Sequence, residues 1–373
     1  MTPYEIDEKT ERLQRMLVDE ELDGVLLNAQ HNFAWLTGGG SNGIDLSREN
    51  GAANLLVASD GRRFVIANNI EMPRLLAEEL AAADFEPVEI AWQNEKAIGD
   101  LALRKAKELL GGNAAIATDL ALFADARSVE NKIAACRYQL TSDELARYRK
   151  LGRDSGTAIR HAIDKLNPGQ TEIEIAETLR HELEAGGMTS VVTLVAADER
   201  ISQFRHPVPT ANRWSKALLL VTCAKRGGLL TSQSRLVCVG KIPDELKMKT
   251  EATAYVNACL LDATRPGTTG SELYTTAANA YAEKNFADEI NKHHQGGAAG
   301  YKTREWVAHA QSTEIVQLNQ PFAWNPSITG TKVEETCITT ADGVEIVTAS
   351  PDLPQITTTV NGREYFSPGI LSL

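Results

Sequence analysis

A chain of 373 residues is longer than one ordinary hydrophobic core and suits two domains of roughly 100 to 250 residues each. Its 43% hydrophobic and 24% charged residues are those of a soluble globular protein, and no apolar run reaches the roughly 18 residues that span a bilayer. The net charge of −12 repels nucleic acid and anionic membrane alike, which excludes both as partners of the surface as a whole.

The charged N-terminus lacks the apolar stretch of an export signal, so the expected address is the cytoplasm. Five scattered cysteines, Cys136, Cys223, Cys238, Cys259 and Cys337, form no C-x-x-C pair and read as reduced, buried small residues. Residues 6 to 30 read as an amphipathic helix, with Leu13, Met16 and Leu17 at helical spacing, followed by the apolar strand DGVLLN. Two apolar runs, 54–58 and 64–67, flank Ser59-Asp60-Gly61 as a hairpin turn. A helix is expected from Glu71 to Ala83 and a strand from Ala114 to Thr118, giving an α/β domain over residues 1–135.

A new helix starts at Thr141, where Thr141 and Glu144 have capping-box spacing, and opens a second domain at residues 140–373. Inside it a helix-turn-helix pattern occurs twice. The turns, Pro168-Gly169-Gln170-Thr171 and Pro266-Gly267-Thr268-Thr269, lie 98 residues apart, each with Pro-Gly ending one helix and Thr starting the next. Strand-like runs follow each pair: 191–196, 218–223, 236–240, 336–339 and 344–347. Paired helices over one face of an antiparallel sheet fit this order.

Several short motifs recur in a familiar sequence: Asn32-Phe33-Ala34-Trp35-Leu36-Thr37-Gly38, both Pro-Gly-x-Thr turns, Arg205-His206-Pro207-Val208-Pro209-Thr210, the run from His293 to Gly300, Asn325-Pro326, and Val333-Glu334-Glu335 ahead of Asp342-Gly343. In their order and spacing they resemble the creatinase/prolidase/aminopeptidase P family, of M24 type. That resemblance implies an α+β fold: a pita-bread catalytic domain of duplicated αβ halves, preceded by a smaller α/β N-terminal domain of creatinase type.

The metal-dependent members hold two divalent ions with two aspartates on a strand pair, one histidine and two glutamates. Aligned by motif, these positions fall on Thr222, Gln233, Gly297, Asn325 and Glu334, of which only Glu334 keeps its ligand. One carboxylate does not offset the dehydration of two divalent cations, so no metal and no cofactor is expected. His294, three residues before Gly297, is the one shifted-register alternative. By resemblance to creatinase, His206 is the proton shuttle; independently, imidazole is the side chain whose unperturbed pKa near 6.5 suits it to trade protons at neutral pH.

Glu334 is the second catalytic candidate. Gln233, Asn325 and Thr222 are expected as neutral pocket walls with His294, and Arg304 as the clamp for a substrate carboxylate. Against these stand bland readings: a structural histidine before a proline-rich turn, a solvated Glu334-Glu335 pair, a surface ion pair for Arg304. His293 receives no role. The glycine-rich loop from Gly38 to Arg48 suggests, again by resemblance, a homodimer in which Trp35 and Arg48 approach the partner's pocket. The leading expectation is a metal-independent hydrolase of a C–N bond in a small polar, carboxylate-bearing metabolite. The alternatives are a metal-dependent Xaa-Pro aminopeptidase or dipeptidase and a catalytically silent binding member.

Overall fold

The structure is a computed structural model and describes residues 3–81 and 83–373. The chain divides into two compact units, residues 1–144 and 145–373.

The first unit is built on a five-stranded sheet: β1 (Gly24–Ala29), β2 (Asn50–Ala58), β3 (Arg63–Asn68), β4 (Glu86–Ile90) and β5 (Ile116–Thr118), in the order β4-β3-β2-β1-β5. β1 lies antiparallel to β2 and parallel to β5. Helix Pro3–Asp19 buries Leu13 and Leu17, as its spacing requires. The β2–β3 connection is the expected tight turn, with Gly61 at φ +90 where a side chain would be strained. Leu26, Leu56, Phe64, Ile66 and Leu103 form the core between sheet and helix Leu101–Leu110. The helix expected over 71–83 is shorter: Met72–Arg74 runs into a wide π turn, Leu75–Glu79.

Thr141 caps the helix Ser142–Asp164 reciprocally with Glu144: Glu144 N donates to Thr141 Oγ1 (3.3 Å) and Thr141 N to Glu144 Oε2 (2.8 Å). The division between units falls just inside this helix, after Glu144, which also pairs with buried Lys9 at 2.7 Å.

In the second unit the duplicated helix pairs are plain. Helix Glu172–Ala185 starts on a capping box of Thr171 and Glu174, and helix Gly270–Glu283 on the same box of Thr269 and Glu272. Gly169 and Gly267 turn at φ +97 and +98. The correspondence continues into tertiary pairing: Thr171 bridges Arg213, and Thr269 bridges Ile315.

The sheet of the first half contains β6 (Thr189–Ala197), β7 (Ala217–Arg226) and β8 (Leu229–Cys238), antiparallel throughout. The sheet of the second half contains β9 (Gly296–Ala298), β10 (Trp306–Val307), β11 (Pro321–Trp324), then, beyond the small hairpin β12 (Ser327–Ile328) and β13 (Thr331–Lys332), β14 (Glu335–Thr339) and β15 (Val344–Ile346). Its order is β10-β9-β11-β14-β15. A final hairpin, β16 (Gln355–Val360) with β17 (Arg363–Pro368), leads to β18 (Ile370–Ser372), which adds parallel to β8. The two sheets are tied where Ser234 N donates to Glu334 O (3.1 Å) and Ser232 N to Thr336 Oγ1 (2.8 Å). Both segments bearing site candidates therefore meet at this junction.

Candidate functional site

A pocket of about 130 Å³ opens at the junction, with Val192, Leu194, Val221 and Cys223 from the first sheet and Thr303, Arg304, Asn325, Lys332 and Glu334 from the second half. His206 and His294 stand at it as well, both exposed. Five of the residues expected at a site are thus together: His206, His294, Arg304, Asn325 and Glu334.

Thr222 and Gln233 are not among them. They pair across β7 and β8, and the pleat turns both to the face opposite Val221 and Cys223. Thr222 Oγ1 bonds Ser190 Oγ (3.0 Å), and Gln233 Oε1 accepts from Arg235 Nη2 (3.2 Å). The strand residue on the pocket side is Ser232, whose hydroxyl lies 3.4 Å from Arg304 Nη1. The expected pocket contacts were placed one residue out of register, which in a strand reverses the face.

Trp35 and Arg48 belong to the first unit. The Trp35 ring is fully buried in that unit's core, 5.8 Å from Lys9 Nζ, and is no surface contact. Arg48 is exposed, pairs with Asp45 at 3.1 Å, and lines a separate cavity of about 420 Å³ with Ile44, Ile70 and Trp92.

Glu334 is buried with a cation at each oxygen: Arg304 Nη2 lies 3.4 Å from Oε1 and Lys332 Nζ 3.4 Å from Oε2. Lys332, delivered by the β12–β13 hairpin, was not expected at the site. Its signal was its place two residues before Glu334. Glu335 points the other way and pairs with Arg235 at 2.9 Å; burial pushes its carboxyl up.

The loop holding His206 is fixed from below by Glu172. Its carboxylate accepts from Ala197 N (2.8 Å), Thr210 N (2.9 Å) and Thr210 Oγ1 (2.8 Å), and also pairs with Arg200. His293, given no role from sequence, lies against His206 with the two Nε2 atoms 3.1 Å apart, and its Nδ1 is 3.4 Å from Ser327 Oγ. Its ring stacks on His294 at 4.5 Å between centroids. All three imidazoles are held toward the neutral form. Although His206 and His294 are exposed as whole residues, partial desolvation of the rings is the largest cause, and nearby cations add to it: His206 is lowered and His293 falls to about 2, both with Lys332 next, and His294 falls to about 4, with Arg304 and then Lys332 next.

The five positions at which the resemblance places metal ligands do not fit a pair of divalent ions. Taken on the pocket face they supply one carboxylate, already flanked by two cations. At Gly297, where the resemblance places an imidazole, a Cβ would stand 2.1 Å from Trp306 O.

Residues 146–346 match metallopeptidase family M24 and residues 9–151 the creatinase/prolidase N-terminal domain. The Xaa-Pro dipeptidase of Lactobacillus delbrueckii subsp. lactis is 25% identical over 228 residues, 58% of this chain and 61% of that protein. The chain therefore aligns with about six-tenths of the length of that curated relative. Among solved structures, the dipeptidase PepE from Mycobacterium ulcerans superposes with a TM-score of 0.78 at 16% identity, over 94% of this chain and 97% of that one. The prolidase from Thermococcus sibiricus gives 0.78 at 17% identity over the whole of both chains. The chain belongs to metallopeptidase family M24, with the creatinase/prolidase N-terminal domain ahead of a pita-bread domain.

These relatives overturn the leading expectation of a metal-independent hydrolase. They are Xaa-Pro dipeptidases in a metallopeptidase family and favour the alternative. The expectation rested on counting ligands lost from the usual positions, with His294 as the one shifted-register alternative.

Proposed function

We propose that this family member hydrolyses the C–N bond of a small, carboxylate-bearing peptide substrate, with dipeptides of the Xaa-Pro kind as the leading class. The observation that carries the reading is a set of buried polar atoms that make no protein hydrogen bond, on residues that line one pocket: the acceptor Asn325 Oδ1, the donor Arg304 Nε, and Glu334 Oε2, which has only the Lys332 ammonium at 3.4 Å. Leaving such atoms unpaired costs about 1–3 kcal/mol each, so a ligand that supplies both donors and an acceptor is favoured there. A dipeptide has both ends of this pattern. Its ammonium offers N–H groups to Asn325 and Glu334, and its carboxylate suits Arg304, the bidentate carboxylate binder, with Lys332 as a second cation. Side-chain charge in the pocket, two cations against one carboxylate, selects an anionic end.

No helix among the described residues is long and apolar enough to cross a membrane. We read the chain as a cytoplasmic homodimer, supported by five free cysteines and by exposed Ile44, Leu46, Ile70 and Trp92 on the first unit; light scattering on the purified protein tests the dimer. The activity is tested with a panel of Xaa-Pro and other dipeptides in the presence of Zn²⁺, Co²⁺ or Mn²⁺. Cleavage with KM raised about 10-fold or more by Arg304→Ala, and kcat lowered about 100-fold by Glu334→Gln, is expected. A panel left intact under every ion sinks the reading.

A further inference from the structure

Three imidazoles converge at the pocket mouth, none of them at the five positions where the resemblance places ligands, although His294 is the shifted-register alternative to Gly297. One ring nitrogen from each of His206, His293 and His294 lies within 4.8 Å of the other two. The closest pair, His206 Nε2 and His293 Nε2, are 3.1 Å apart, near the roughly 3.3 Å that separates two nitrogens bound at 2.0–2.1 Å to one tetrahedral ion. A shared proton also explains one such pair. It does not by itself turn a nitrogen of His294, which stacks on His293, to within 4.8 Å of both others.

We propose that His206, His293 and His294 bind a single transition-metal ion of the imidazole-preferring kind, Zn²⁺ foremost, with its fourth position open to water or substrate. Three imidazoles with an open position are the donor set of a catalytic zinc site, and the absence of carboxylates from the trio disfavours Mg²⁺, Ca²⁺ and Mn²⁺.

The surroundings support the geometry. His293 Nδ1 has Ser327 Oγ at 3.4 Å, the outer partner that frees Nε2 for an ion. The His293 carbonyl accepts from Gln295 Nε2, and Gln295 Oε1 in turn accepts from the buried Tyr281 hydroxyl at 2.6 Å, so the histidine pair rests on a fixed support. His206 is held on the Glu172 anchor described above.

The charges that bear on the trio are Lys332, Arg304 and Arg205, which oppose a cation, and Glu334, which favours one. Arg205 is itself paired with Glu289. The balance weakens the site and sets the expected affinity in the micromolar range rather than the nanomolar. With Nε2 engaged by an ion, His206 does not act as a base through that atom, so this assignment replaces the proton-shuttle role suggested by sequence.

The proposal goes beyond the hydrolase reading and does not depend on it. The test uses the full-length protein stripped with chelator and titrated with Zn²⁺ by calorimetry and with Co²⁺ by visible absorption. One equivalent should bind with Kd tighter than about 100 μM. His206→Ala, His293→Ala and His294→Ala should each weaken it about tenfold or more, while His161→Ala, at an exposed position in the last turn of helix Ser142–Asp164, leaves it unchanged. X-ray absorption at the zinc edge of the wild-type protein should count three imidazoles, which keeps the test independent of any variant that fails to fold. Absence of binding below that limit, a count of one imidazole or none, or affinity indifferent to the three substitutions would each overturn the site. A protein that binds one ion but cleaves no dipeptide keeps this site and loses the hydrolase reading; one that cleaves without binding does the reverse.

Discussion

Gly297→Ala probes why the family's imidazole position is a glycine here. An added Cβ would stand 2.1 Å from Trp306 O, 2.9 Å from Val307 Cα and 3.0 Å from Trp306 C, all backbone atoms that no rotamer change can clear. Ordinary carbon–oxygen contact is near 3.5 Å, so β10 would have to retreat by about 1 Å or more. A compensating shift of β9 the other way is resisted, since β9 is held between β10 and β11 and a Cβ on Gly296 would lie 2.1 Å from Ala323 O. Overpacking of a rigid site destabilises by about 1–3 kcal/mol, and two backbone walls place this case at the upper end. Roughly 3 kcal/mol in a unit of this size lowers Tm by about 6–12 °C. Thermal unfolding followed by tryptophan fluorescence reads the second unit through Trp214, Trp306 and Trp324. Gly99→Ala is the control, with nothing within 4 Å of its added methyl and an expected change within about 0.5 kcal/mol. If Gly297→Ala unfolds within about 0.5 kcal/mol of the wild type, the strand gives readily and the argument that no histidine fits at this position is lost.

Glu172→Ala removes a buried carboxylate from Arg200, Thr210 and Ala197 N and should cost about 3–5 kcal/mol, measured by denaturant melts, with faster amide exchange in the His206 loop; an effect below about 1 kcal/mol refutes the anchor. Although burial alone would raise it, the Glu172 carboxyl is held below its ordinary pKa by Arg200, Thr210 and Ala197 N. Its contribution is therefore full above the unfolded value near 4.3 and lost as pH falls through the folded one, so the gap between wild type and Glu172→Gln should narrow below about pH 4.3. Lys332→Ala removes a charge that lowers all three imidazoles, and NMR titration should find His206, His293 and His294 shifted upward; unchanged midpoints would place Lys332 away from them. Cys223, Cys238, Cys259 and Cys337 are buried, and Cys136 is pushed up to about 11 by burial, so native protein should react slowly with a thiol reagent at pH 8 and quickly once unfolded.

The fold was legible where local chemistry is decisive. Capping boxes at Thr141, Thr171 and Thr269, and turns at Gly61, Gly169 and Gly267, each satisfy a requirement of backbone geometry that few residue types meet. Strand register was not legible. β8 is buried along its whole length and β7 nearly so, so neither shows the alternation that marks a face, and Thr222 and Gln233 slipped one place from Val221 and Ser232. Trp35 failed for the related reason that helix Gln30–Leu36 is buried all round from His31 to Leu36, and a motif of that kind reads equally as loop contact or as core. His293 escaped because its partners, His206 and Ser327, are distant in sequence and leave no local pattern, whereas Lys332 had a local signal, its place two residues before Glu334, that was passed over.

The same comparison explains how a metallopeptidase fold accommodates Lys332. An ammonium 3.4 Å from the remaining glutamate is incompatible with divalent ions at the pocket floor, since each would add two charges beside two cations already there. Three neutral imidazoles at the mouth carry no such conflict among themselves, and the desolvation that chiefly holds them neutral, with the Lys332 charge behind it, also keeps their lone pairs available. Donor and charge are thereby separated. Where the resemblance implies carboxylates that bind the ions directly, here the carboxylate faces side-chain cations and one nitrogen of each imidazole faces the other two. A substrate whose carboxylate end is drawn to Arg304 and Lys332 would lie in the same pocket that His206 and His294 line. Substitution of Lys332 should for that reason strengthen ion binding while weakening the grip on an anionic substrate, opposite changes that no general loosening of the pocket would produce.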